Sequence, residues 1–142
     1  MNRFVGRITF IERVASLAII EIALGERRYT ASILSNSEQL ANWKVGDTVQ
    51  CDFSENEVAL AKNLSGLISM RNRFPGDIIA LEKGQLLTRV VFQMDALKLS
   101  SVITTRSANN LALQVGDVIE GLVKSNEMRL SKLDGGAGGY SD

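Results

Sequence analysis

Apolar and β-branched residues recur along the chain in short runs, and glycine or polar residues separate one run from the next. Runs of this length predict strands rather than helices. The ten predicted strands are 4–10, 18–24, 29–34, 48–53, 58–62, 74–81, 87–94, 97–104, 118–123 and 128–132. Two short helices are predicted at 38–43 and 108–113, because Ser, Thr or Asn residues typical of helix N-caps stand just ahead of each.

The predicted elements occur twice in the same order. Residues 2–62 align with residues 72–132 at an offset of 70 without a gap, and 16 of the 61 aligned positions are identical. Five strands and one helix in so short a segment are typical of a small OB-like barrel. We therefore expect an all-β protein of two tandem OB-like five-stranded barrels, each with one short helix. The expected segments are repeat 1 at 1–66, repeat 2 at 67–133 and a disordered tail at 134–142.

The composition of the chain limits the classes of function that are expected. The chain of 142 residues has 16 basic and 16 acidic residues, so it lacks the basic excess typical of binding to a phosphate backbone. It has no histidine and one cysteine, Cys51, which leaves no general acid–base set, disulfide framework or Cys-rich metal site. We expect a non-enzyme in a reducing, cytoplasmic setting, since neither a signal peptide nor a membrane-spanning run stands out.

The two repeats differ where an anion could bind. Hydroxyl and cationic side chains, which donate hydrogen bonds to anions, recur in repeat 2 in short segments that contain no Asp or Glu. The candidates are Ser69, Arg71, Thr104, Ser107, Lys124 and Ser125. Ser69 has no counterpart in repeat 1. The counterparts of the other five, in the same order, are Met1, Leu34, Ser37, Ser54 and Glu55. The pattern predicts a complete oxyanion-binding set in repeat 2 and a degenerate set in repeat 1. Alternatively, Ser107 is a helix cap and the two cations are solvated surface charges.

At these residues the chain resembles the molybdate-binding Mop domain of the TOBE group. The motifs that carry the resemblance are Ser-Met-Arg-Asn at 69–72, Val-Ile-Thr-Thr-Arg-Ser at 102–107, Leu-Gln-Val-Gly at 113–116 and Val-Lys-Ser-Asn at 123–126. Repeat 1 shares the strand pattern and the turn but lacks the Ser-x-Arg start and the lysine. Two such units in one chain resemble the tandem (di-Mop) molbindins.

The resemblance implies a homo-oligomer, a trimer in preference to a dimer, with molybdate or tungstate bound as the oxyanion at subunit interfaces. It implies that the six residues named above are the ligands and that no protein group coordinates molybdenum directly. The expected role is cytoplasmic storage or homeostasis of the anion. A sensing module that acts with a transcription regulator or a transport ATPase remains an alternative. An OB-type nucleic-acid binder is a remote alternative, because few aromatic residues are present to stack on bases.

Overall fold

The computed structural model describes residues 1–36 and 41–133. The predicted tail at 134–142, Ser37 and residues 38–40 of the helix predicted at 38–43 lie outside these residues. The described strands are β1 Asn2–Val14, β2 Leu17–Leu24, β3 Arg27–Leu34, β4 Thr48–Phe53, β5 Ala59–Ala61, β6 Asn72–Lys83, β7 Leu87–Met94, β8 Leu97–Thr104, β9 Val118–Val123 and β10 Arg129–Leu133. One α-helix, α1, spans Thr105–Asn110, and 3₁₀ turns span Glu55–Glu57 and Ser125–Glu127. No helix in the described part is long and apolar enough to cross a membrane.

The strands form two five-stranded sheets with equivalent strand orders. One sheet has the order β10-β4-β1-β2-β3, and the other has the order β5-β9-β6-β7-β8. The first strands β1 and β6 are longer than predicted, and each has a register shift at the same point of the repeat, at Thr9 and at Ile79. Such a bulge bends and twists a strand, which helps a small sheet to curl on itself. The predicted all-β fold of two OB-like barrels is confirmed.

The last strand of each sequence repeat pairs with the fourth strand of the other repeat. In one ladder Leu130 of β10 lies opposite Cys51 of β4. In the other, Leu60 of β5 lies opposite Gly121 of β9. These registers are equivalent at the offset of 70, so the exchange is reciprocal.

The exchange gives each compact unit residues from both repeats. The first barrel contains residues 3–52 and, from the described part of the C-terminal segment, 124–133. The second barrel contains residues 1–2 and 53–123. The sequence repeats and the compact units therefore have different boundaries.

Each barrel has its own apolar core. In the first barrel Ile8, Ile20 and Ile22 are fully buried. In the second barrel Phe74 and Phe92 are fully buried. In β2 the buried side chains alternate with half-buried ones, as expected for a strand with one face toward a core.

The Val-Gly-Asp sequences form the same turn in both barrels. Gly46 and Gly116 both have φ of +98°, a conformation that glycine adopts without strain. The Asp47 carboxylate accepts from the Lys44 amide at 3.0 Å, and the Asp117 carboxylate accepts from the Gln114 amide at 2.9 Å. The glycine and the aspartate of each turn therefore have structural roles.

A lysine at the end of each exchanged segment binds the turn of the other repeat. In the second barrel Lys62 Nζ donates to the carbonyls of Leu111 and Ala112 at 3.0 and 3.2 Å. The same ammonium contacts Asp117 Oδ2 at 3.1 Å. In the first barrel Lys132 Nζ donates to the Asn42 carbonyl at 2.9 Å and lies 3.4 Å from an Asp47 oxygen. We call these two arrangements the lysine locks.

Candidate functional site

The junction between β8 and α1 places two of the predicted ligands side by side in the second barrel. Thr104 ends the strand in an extended conformation, and its hydroxyl accepts from the Ser107 amide at 3.1 Å. The same hydroxyl donates to the Ser107 hydroxyl at 2.8 Å. Both side chains are exposed. Among the described residues the Ser107 hydroxyl hydrogen has no acceptor, so it can be donated to an anion.

This geometry corrects two predictions about the helix. The helix was predicted at 108–113 with Ser107 as its cap, but α1 spans Thr105–Asn110 and Thr104 is the N-cap. The reason is that the Thr104 hydroxyl reaches the free amide of Ser107, which satisfies a donor that the helix leaves unpaired. Ser107 therefore lies inside the first turn, where its hydroxyl is not used for capping.

Lys124 and Ser125 follow β9 and lie in the first barrel. The Lys124 amide donates to the Glu127 carboxylate at 3.2 Å, and the Lys124 side chain is exposed. The Ser125 hydroxyl lies 2.6 Å from the hydroxyl of Ser32 on β3. Ser32 was not predicted, because its counterpart in repeat 2 is Val102 and nothing in the repeat comparison points to it.

Ser69 and Arg71 lie in the segment that leads into β6, in the second barrel. Both are exposed. Of the six predicted ligands, the second barrel thus contains Ser69, Arg71, Thr104 and Ser107, whereas the first barrel contains Lys124 and Ser125. The set that is contiguous in the sequence of repeat 2 is divided between two compact units by the exchange of the last segment.

The exchange also moves the divergent residues of repeat 1. Ser54 and Glu55 lie in the second barrel, together with Thr104 and Ser107. The Glu55 carboxylate accepts from Arg89 Nε at 2.9 Å. This hydrogen bond, followed by one from Ser100, holds the pKa of Glu55 below its ordinary value. The negative charge of Glu55 is therefore paired with the positive charge of Arg89.

Arg89 is a residue that sequence reasoning missed. It stands on β7, whereas the equivalent position of repeat 1 is the apolar Ile19. The comparison of the repeats did contain a signal for it, because a charged residue in one repeat stands where the other has an apolar residue. Its meaning depends on the partner Glu55, which lies 34 positions away in sequence.

The described residues give little support for a metal site or for a cysteine nucleophile. They contain no group of three or more His, Cys, Asp and Glu side chains that could hold a metal ion. Burial in β4, followed by the nearby Asp52 charge, raises the pKa of the Cys51 thiol to about 12. The thiol is therefore protonated at neutral pH and is a poor nucleophile.

One family model matches part of the chain. Residues 68–130 match the model of the TOBE domain. The match supports the resemblance for the part of the chain that carries the predicted ligands.

A solved structure extends the likeness to both barrels. The cytoplasmic molybdate-binding protein ModG, crystallised with molybdate bound, is similar with a TM-score of 0.84 and 23% sequence identity. The similarity covers 91% of this chain and 94% of the ModG chain. At this identity the likeness shows a shared fold. No curated protein matches the chain.

Proposed function

We propose that this protein is a cytoplasmic binding protein for molybdate or tungstate, acting in storage or homeostasis of the anion rather than as an enzyme. The observation that carries the proposal is the exposed hydroxyl pair of Thr104 and Ser107, inside the segment that matches the TOBE domain. The similarity of fold to a cytoplasmic molybdate-binding protein supports the choice of ligand.

The chemistry of the ligand suits this set of residues. Molybdate is a tetrahedral dianion at neutral pH, so it accepts hydrogen bonds and donates none. In the second barrel Arg71 and the hydroxyls of Ser69 and Ser107 can donate to such an anion, with Ser107 held by Thr104, and in the first barrel Lys124 can do so. The Ser107 amide is already bound by the Thr104 hydroxyl. We therefore infer that side-chain donors, rather than the amides of the short helix, carry the affinity.

We propose in addition that the protein is a homo-oligomer, a trimer in preference to a dimer, with the anion held where subunits meet. The second barrel exposes large apolar side chains at Leu86, Leu87 and Val118, which are 79%, 56% and 66% accessible. Apolar surface of this kind is typical of association with another protein surface. Sedimentation equilibrium with and without molybdate tests this: a mass equal to one chain in both conditions contradicts it.

Isothermal titration calorimetry against molybdate, tungstate, sulfate and phosphate tests the function. We expect molybdate and tungstate to bind, and the smaller sulfate and phosphate to bind much more weakly or not at all. Binding should also raise the unfolding temperature, since a ligand that binds only the folded state stabilises it. An absence of heat and of any thermal shift with molybdate at micromolar protein contradicts the proposal.

A further inference from the structure

Glu55 occupies, in the second barrel, the position that Ser125 occupies in the first. Its Oε1 atom accepts from Arg89 Nε at 2.9 Å and from Ser100 Oγ at 2.9 Å. Arg89 also reaches Glu82 at 3.3 Å, but Glu82 is 63% exposed at its side chain and Glu55 only 30%. The Glu55 carboxylate is thus the more enclosed of the two acceptors bound by the guanidinium.

One of the two donors that hold Glu55, Ser100, is itself held in place. The backbone amide and carbonyl of Ser100 bind the Asn2 side chain at 2.8 and 2.9 Å, and both residues are buried. Arg89 and Ser100 line a cavity of about 350 Å³, together with Met1, Asn2 and Lys98. Two of these lining residues, Arg89 and Lys98, bring positively charged side chains. The wall of the cavity therefore presents donors in a cationic setting.

The repeat comparison shows that the two charges belong together. At the equivalent positions the first barrel has Ile19 in place of Arg89 and Ser125 in place of Glu55. The ion pair is thus present as a unit in one barrel and absent as a unit in the other. A carboxylate and a small oxyanion present similar acceptor oxygens to an arginine, so one can take the place of the other.

We propose that Arg89 and Ser100 form a small-oxyanion position on the second barrel, and that the Glu55 carboxylate fills it and keeps external oxyanions out. Removal of this carboxylate frees Arg89 Nε and Ser100 Oγ, which then receive an anion from solution. The inference rests on the proposed function only in the choice of molybdate as a probe, and phosphate serves as a second probe.

The test compares the number of anions bound per chain by wild type and by Glu55→Ser, the residue found at position 125. Equilibrium dialysis with elemental analysis measures molybdenum, and labelled phosphate is measured in a parallel set. We expect Glu55→Ser to bind one more anion per chain than wild type. The double variant Glu55→Ser/Arg89→Ile should lose this extra anion. Glu82→Gln is the matched control, because it removes a carboxylate from the same arginine but leaves Glu55 in place.

An unchanged anion count with both probes in folded Glu55→Ser overturns the inference, as does an equal gain in Glu82→Gln. Glu55→Gln serves if the serine variant does not fold, as judged by circular dichroism. The two proposals fail in different ways. Wild type that binds no molybdate contradicts the proposed function, whereas the difference between variant and wild type decides whether Glu55 fills an anion position.

Discussion

The lysine locks should contribute to stability in proportion to the carbonyls that each ammonium binds. Lys62 donates to two backbone carbonyls at the end of the helical segment, and Lys132 donates to one. A hydrogen bond of this kind contributes about 1 kcal/mol net when it is partly exposed. Replacement by methionine retains most of the aliphatic stem and removes the donor. The expected losses are about 2 kcal/mol for Lys62→Met and about 1 kcal/mol for Lys132→Met.

The ion pairs are left out of this estimate, because contacts between charges at a protein surface contribute little. Losses of this size correspond to decreases in unfolding temperature of about 6 °C and 3 °C, respectively, for a chain of this length. Urea unfolding followed by far-UV circular dichroism measures the free energies directly. Lys44→Met is the matched control, since Lys44 lies in one of the turns with its side chain exposed and should change stability little.

The order of stability of the three variants tests whether the bound carbonyls matter. Lys62→Met should be the least stable, Lys132→Met intermediate and Lys44→Met nearly unchanged. Equal losses for Lys62→Met and Lys44→Met would show that the bound carbonyls do not matter. Because β5 has only three residues, Ala59–Ala61, we also expect Lys62→Met to increase amide exchange in this strand before the rest of the sheet opens.

Three further predictions follow from single contacts. Lys124→Ala should weaken molybdate binding about 10- to 100-fold in calorimetry, as expected when a charged donor is lost, whereas Ser54→Ala should change it little; equal effects contradict the assigned ligand set. The Gln114 amide and then Lys62 lower the pKa of Asp117, so its stabilising contribution is complete above the unfolded-state pKa and is lost as the pH falls through the lower folded-state value. The stability difference between wild type and Asp117→Asn in urea should therefore shrink between about pH 6 and about pH 3, and a constant difference contradicts this. Gly76→Ala should cost about 2 kcal/mol in urea unfolding, because its Cβ would lie 2.5 Å from the Gln93 carbonyl oxygen; wild-type stability would show that the strands can separate at no cost.

The sequence was sufficient for those parts of the fold that depend on local pattern. Short runs of apolar and β-branched residues located the ten strands, and the second, fourth and eighth strands of the structure end where they were predicted to end. The glycine and aspartate of Gly46-Asp47 located a turn, because that backbone conformation restricts which residues can be present. Strand β1 was predicted too short, since the charged and exposed residues Glu12 and Arg13 interrupt its apolar run.

The exchange of the last segment was not predictable in the same way. The periodicity of β10 shows that it is a strand with Leu130 on one face, but both β4 and β9 have equivalent edges for it. The choice depends on the short connection 124–128 and on contacts distant in sequence, such as Lys132 with the Asn42 carbonyl. A pattern within one repeat carries no information about which repeat receives its last strand.

The exchange changes what a difference between the repeats means. If each repeat folded as its own barrel, Glu55 would oppose anion binding in repeat 1 alone and Lys124 would favour it in repeat 2 alone. In the structure, Glu55 of repeat 1 lies in the barrel of Thr104, and Lys124 of repeat 2 lies in the barrel of Leu34. Under the proposed ligand set, each barrel therefore combines a segment of one repeat that has donors with a segment of the other repeat that lacks them. A substitution in the last segment of one repeat alters the chemistry of the barrel that the other repeat mainly builds, so neither repeat is free to lose its donors without an effect on both barrels.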